Sequence, residues 1–147
     1  MYIDKLPEGI SLQIFLDERD EKTIFESSGK WLYPLFEFED YLKNNYKEEN
    51  FAQRKFCSND SAIGKAAAAL SIFLGIKKIH AKIASERAIK YIDFYNEKNE
   101  LYGEDKIIIT YDNLVPKILC KTEDILCEIN DEQEIYKILC ERAGRKN

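Results

Sequence analysis

The sequence predicts an α/β protein with a mixed sheet, in which an N-terminal antiparallel hairpin precedes parallel strands and helices cover both faces. Three observations lead there. Two short segments with strand character, Ile10–Leu16 and Thr23–Ser27, flank a charged turn. Strand and helix patterns then follow one another, and such a succession favours parallel pairing. Finally, 147 residues at 45% hydrophobic and 33% charged are what one globular domain needs, so 1–147 is read as a single domain.

In the first strand Ile10, Leu12 and Ile14 share one face. Trp31 to Asn44 carries a helical stripe through Leu35, Phe36, Phe38 and Leu42, with Pro34 tolerated in the first turn, where its missing N–H costs nothing. Tyr46 to Cys57 is polar and reads as a loop. Ser58-Asn-Asp-Ser61 is rich in capping residues and opens the strongest helix pattern in the chain, in which Ile63, Ala66, Ala67, Leu70, Phe73 and Leu74 fall on one side. Its run of alanines suits close packing on a sheet, and Gly75 closes it.

Lys77 to Ile83 alternates again as a strand. Ser85 is the next N-cap, with Glu86 in the first turn of a helix that runs to about Lys98. After a polar turn around Gly103, Lys106 to Tyr111 is β-branched without polar alternation, which suits a strand covered on both faces. Val115 to Leu119 reads as an edge strand or irregular. Asp131 to Ala143 forms the last helix, Gly144 ends it, and 145–147 reads as a frayed tail.

Charge and targeting narrow the function. Lys plus Arg number 22 and Asp plus Glu 27, a net −5, so a general nucleic-acid or anionic-membrane binder is not expected. No basic region followed by an apolar run opens the sequence, and the longest uncharged stretch, 66–76, is too short to span a bilayer. A cytoplasmic protein with reduced thiols at Cys57, Cys120, Cys127 and Cys140 is expected.

The run Asp60-Ser-Ala-Ile-Gly-Lys-Ala-Ala-Ala68 resembles the Asp-x-x-hydrophobic-Gly-Lys-Ala-Ala-Ala motif of a small, functionally uncharacterised prokaryotic family with a cytidine-deaminase-like fold. Gly9–Leu12 through Ile24–Ser27 is similar to that family's hairpin, Pro34-Leu35 to the start of its first helix, Ile83-Ala-Ser-Glu86 to a strand-to-helix step, and Leu114–Pro116 with Cys127 to its late segment. The likeness covers about 9–130, leaving 131–147 as a C-terminal helix and tail. Where the family has a glycine-rich Cys-Pro turn, this chain reads Cys120-Lys-Thr-Glu-Asp-Ile-Leu-Cys-Glu128. The resemblance implies a three-layer α/β/α sandwich. It does not imply zinc-dependent deamination, which needs His or Cys followed by x-Glu, and Pro-Cys-x-x-Cys. The single histidine, His80, precedes Ala81-Lys82, and no two cysteines stand two apart. No metal and no cofactor are expected.

Three readings of function stay open. In the first, a small nucleotide-like or anionic ligand sits where two helices begin, bound by Asp60, Gly64, Lys65, Ser85 and Glu86; free backbone N–H groups there attract anions. Against it, capping alone accounts for Asp60 and Ser85, Lys65 has a bland reading as a solvated lysine, and Glu86 would repel an anion. In the second, Cys127 is a catalytic thiol with Lys65 as its electrostatic partner; the plain alternative is a buried, unreactive cysteine. In the third, the chain is a structural or interaction subunit with a vestigial pocket. Pairing with a second copy is compatible with all three. Trp31, Tyr33, Phe36 and Phe38 read as core and rim rather than as a base-stacking platform.

Overall fold

The computed structural model describes residues 5–17, 20–45 and 56–145. The mixed α/β class of the prediction is what forms. Strands β1 (Leu12–Asp17), β2 (Asp20–Ser27), β3 (Phe56–Ile63), β4 (Ile76–Ser85) and β5 (Ile108–Val115) make one sheet in the order β2-β1-β3-β4-β5. β1 pairs antiparallel with both β2 and β3, and β3, β4 and β5 run parallel. The helices are α1 (Tyr33–Asn45), α2 (Lys65–Phe73), α3 (Glu86–Lys98), α4 (Lys121–Ile125) and α5 (Glu132–Arg142).

The two faces of the sheet differ in chemistry. Leu12, Ile14, Ile79 and Ala81 share one face and are fully buried. Each large apolar side chain taken from water there contributes about 1.5–3 kcal/mol. The opposite face carries Gln13, Asn59, His80 and Thr110 side by side across four strands. Within that row Asn59 Nδ2 donates to Gln13 Oε1 at 3.4 Å, and His80 Nδ1 lies 2.8 Å from Thr110 Oγ1. His80 is thus tied to the neighbouring strand.

α2 is the hub. Its alanines Ala66–Ala69 are buried, and their small size lets neighbours approach from every side; the helix meets α1, α3, α4 and α5. Gly75 follows it at φ 90°, the left-handed end expected of that glycine. α3 starts as predicted, with Ser85 Oγ accepting from Ala88 N at 3.0 Å.

Four expectations change. The largest concerns 58–61, which do not cap a helix but lie inside β3, between β1 and β4. Their backbone groups are committed to two neighbouring strands, so no helix can begin before Gly64. Polar side chains on a buried strand hide its period of two. Phe56 and Cys57 also belong to β3 rather than to a loop, and 46–55 lie outside the described residues. Secondly, the β-branched run is not covered on both faces: β5 is an edge strand and largely exposed. Its neighbour Ile107 is the buried residue, held where Asn96 exchanges hydrogen bonds with its N–H and C=O at 2.8 and 3.0 Å. Thirdly, 117–120 are irregular, one of the two readings of that stretch, but Lys121–Ile125 form a short helix, α4, that the sequence reading did not place.

Lastly, Arg145 is not frayed. Its guanidinium reaches back to α1, 2.9 Å from buried Glu39 and 2.6 Å from Asp40, and sits 4.8 Å over the Phe36 ring. That bond holds the Asp40 carboxyl below its usual range. Tyr136 of α5 donates its O–H to the same Glu39. Arg145→Ala leaves buried Glu39, among its described cationic partners, with only the longer contact to exposed Lys43, 3.8 Å away, and is expected to cost about 1.5–3 kcal/mol in urea unfolding at neutral pH. Lys at 145 is expected to recover only part, because it cannot form the fork.

Candidate functional site

The carboxyl end of β3, the N-terminal approach to β1 and the loop before α1 surround a cavity of about 480 Å³, a size suited to a small molecule. Asp60, Gly64 and Glu123 lie at its buried wall, Cys120 beside them, and Lys30 and Trp31 at its exposed rim. The rim is built by serines. Ser11 Oγ donates to Gly29 O at 2.7 Å, and Ser27 Oγ donates to Glu37 at 2.9 Å while accepting from Gly29 N at 3.1 Å. Trp31 follows with φ 58°, a left-handed conformation rare for a bulky residue. Strain of this kind persists only where surrounding contacts enforce it. Its ring meets Tyr33 edge-on at 5.1 Å.

At the inner wall the chain supplies its own anion. Glu123 accepts from Lys65 N at 2.8 Å and from Ala66 N at 2.9 Å, one oxygen to each. Those two N–H groups are the first free donors of α2, where the helix dipole favours negative charge. A Cβ on Gly64 would stand 2.5 Å from Glu123 Oε1, so only glycine lets the carboxylate in. The Lys65 side chain turns the other way and binds the end of α4: Nζ donates to Leu126 O at 2.7 Å, Cys127 O at 3.4 Å and Asn130 Oδ1 at 2.9 Å. Burial lowers its pKa from 10.5, against the pull of nearby negative charge.

Asp60 is the other buried acid. It is 9% exposed, and it accepts a hydrogen bond from Ala62 N at 3.3 Å. Burial raises its pKa to about 7, against backbone hydrogen bonds from Ala62 and Ser61 that lower it. No lysine or arginine is paired with it among the described ion pairs. Near neutral pH such a carboxyl can donate a hydrogen bond when protonated and accept one when ionised.

Residues 11–142 match the family model described as TM1506, domain of unknown function (DUF1893). The chain belongs to the DUF1893 family. A crystal structure of a DUF1893 family protein (TM1506) from Thermotoga maritima is similar, with a TM-score of 0.67 and 24% identity over 92% of this chain and 82% of that one. At that identity the likeness shows the fold. No curated protein matches.

Set against the sequence reading, this DUF1893 chain gathers only part of the predicted site. Asp60 and Gly64 line the cavity; Lys65, Ser85, Glu86 and Cys127 do not. Ser85 is buried and spends its hydroxyl as a cap, and Glu86 is exposed on α3. Lys65 is neither solvated nor free for an anion. Cys127 is exposed, not buried, while Cys57 and Cys140 are the buried thiols; none of the four cysteines is joined in a disulfide. The starts of α2 and α3 do come together, but on α4. Lys65 and Glu123 join α2 to it, and Arg87 of α3 reaches Asp124 at 3.5 Å. Glu123 and Cys120 escaped the sequence reading, whereas Trp31, read as core or rim, does stand at the rim. An acid in a short polar stretch gives no sign of the helix it will cap.

Two outcomes follow from this geometry. Gly64→Ala and Glu123→Ala are each expected to destabilise the fold by about 1–3 kcal/mol in denaturant titrations. The double variant is expected to cost clearly less than the sum, because the clash vanishes with the carboxylate. Asp60 makes stability depend on pH. Its folded pKa lies above the unfolded 3.8, so its share of stability is intact below about pH 4 and is lost as pH rises to about 7. Asp60→Asn is therefore expected to raise the melting temperature at pH 8 and leave it nearly unchanged at pH 4, a gain of up to about 4 kcal/mol.

Proposed function

We propose that the chain is a binding protein for a small, planar, hydrogen-bonding ligand that is neutral or cationic where it meets the inner wall of the cavity. A nucleobase or nucleoside has that chemistry. The observation that carries the reading is Asp60, a buried carboxyl with no lysine or arginine paired to it among the described residues, opening on a cavity of ligand size. Perturbed acids in clefts are common at functional sites. The sequence reading placed a nucleotide-like or anionic ligand at the starts of α2 and α3. Glu123 already occupies the first N–H groups of α2, and a second negative charge beside it would be repelled. A phosphate borne by the ligand would have to point toward Lys30 at the rim. The exposed Trp31 ring offers a planar ligand a stacking surface.

Thiol chemistry is the second reading, and it moves from Cys127 to Cys120. Cys120 lines the same cavity as Asp60, whereas Cys127 lies outside it. Slow alkylation of Cys120 by iodoacetamide, blocked by a bound nucleoside, would place the thiol at the ligand; activity lost in Cys120→Ser would make it catalytic.

The test is a thermal-shift and NMR titration panel of nucleobases, nucleosides and their 5′-phosphates at pH 6 and pH 8. An unphosphorylated member is expected to raise the melting temperature, since a ligand that binds only the folded state stabilises it. Asp60→Ala is expected to abolish that shift, with a changed affinity across pH 7 in the parent protein. Tighter binding of every phosphorylated member, or unaltered affinity in Asp60→Ala, would sink the reading.

A further inference from the structure

We infer that β5 is the self-pairing edge of the protein, and that two copies join antiparallel through it into one continuous sheet around a two-fold axis at Tyr111. β5 ends the sheet, and no described strand pairs with its outer side. Eight-residue edges are normally guarded by lysine, proline or a bulge. β5, Ile-Ile-Thr-Tyr-Asp-Asn-Leu-Val, has none of these between 108 and 115. Its one charge, Asp112, lies 3.3 Å from His80 of the adjacent strand.

The exposed apolar residues of β5 are Ile108 (38%), Tyr111 (41%) and Leu114 (43%). They are spaced evenly about Tyr111, which is the pattern a self-complementary strand requires. A two-fold axis perpendicular to the sheet pairs residues of the same face, so the axis must pass through a residue and not between two. Centred on Tyr111, Ile108 stands opposite Leu114 of the second copy, Thr110 opposite Asp112, and Tyr111 opposite its own mate. Apolar meets apolar, and a hydroxyl meets a carboxylate. Centring on Asp112 would oppose two carboxylates, and centring on Thr110 would set Ile108 against Asp112. One register therefore stands out.

The test is sedimentation of the full chain over a concentration series, alongside Leu114→Lys. The parent is expected to approach twice 17.2 kDa. In Leu114→Lys the dissociation constant is expected to rise at least roughly tenfold, which is about 1.4 kcal/mol. At a concentration well below the parent's dissociation constant its unfolding curve should match the parent's, since the replaced side chain is half in solvent. With Cys127 replaced by Ser, Tyr111→Cys is expected to form a disulfide-linked dimer under mild oxidation, and Tyr102→Cys is not. A parent that stays monomeric, a dimer indifferent to Leu114→Lys, or cross-linking at 102 but not at 111 would each overturn the proposal.

Discussion

A single carboxylate on a helix end organises this protein. Glu123 fills the positive N-terminus of α2, and the first residue of α2, Lys65, returns the bond by holding the carbonyls at the end of α4. Each helix thereby satisfies the free backbone groups of the other. Both contacts are buried, where an unmatched charge or N–H would be costly. Thr122, beside Glu123, receives Arg142 of α5 at 3.0 Å, so the lock extends to the last helix. Since α2 touches every other helix, the loss of Glu123 would be felt across the whole helical side of the molecule.

The same contact decides the chemistry of the cavity. An empty helix N-terminus would attract phosphate; one already neutralised leaves a wall that presents carboxyls to whatever enters. Asp60, held near neutrality by burial, then becomes the group most able to answer a ligand by gaining or losing a proton. The rim works in the opposite sense. It is exposed, aromatic at Trp31 and cationic at Lys30, and it is braced by serine hydrogen bonds that fix the loop before α1. On the proposed reading, neutral recognition inside and aromatic contact outside would follow from one placement of charge.

Much of the fold was legible because it rests on local chemistry. The hairpin shows in its alternation, α2 in its alanine stripe and Gly75, and the start of α3 in Ser85. β3 was not legible. Ser58, Asn59 and Asp60 are residues that cap helices, and only neighbours on both sides turn them into a buried strand. Tertiary pairing overrode a sound local preference. The site was half legible for the same reason. Asp60 and Gly64 stood out as a pair near a helix start, and Gly64 does permit a close approach, though of Glu123 and not of a ligand.

The sequence by itself determined the α/β class, the order of most elements, the acidic balance and the family to which the chain belongs. Those depend on composition, periodicity and caps, which act within a few residues. Only the tertiary structure decided that Lys65 is buried, that Cys120 and not Cys127 faces the cavity, and that the waiting helix end is filled by an acid 58 residues away. A carboxylate finds its partner through space. Its effect on the site is set by the low dielectric and free N–H groups it meets there, and neither exists until the chain has folded.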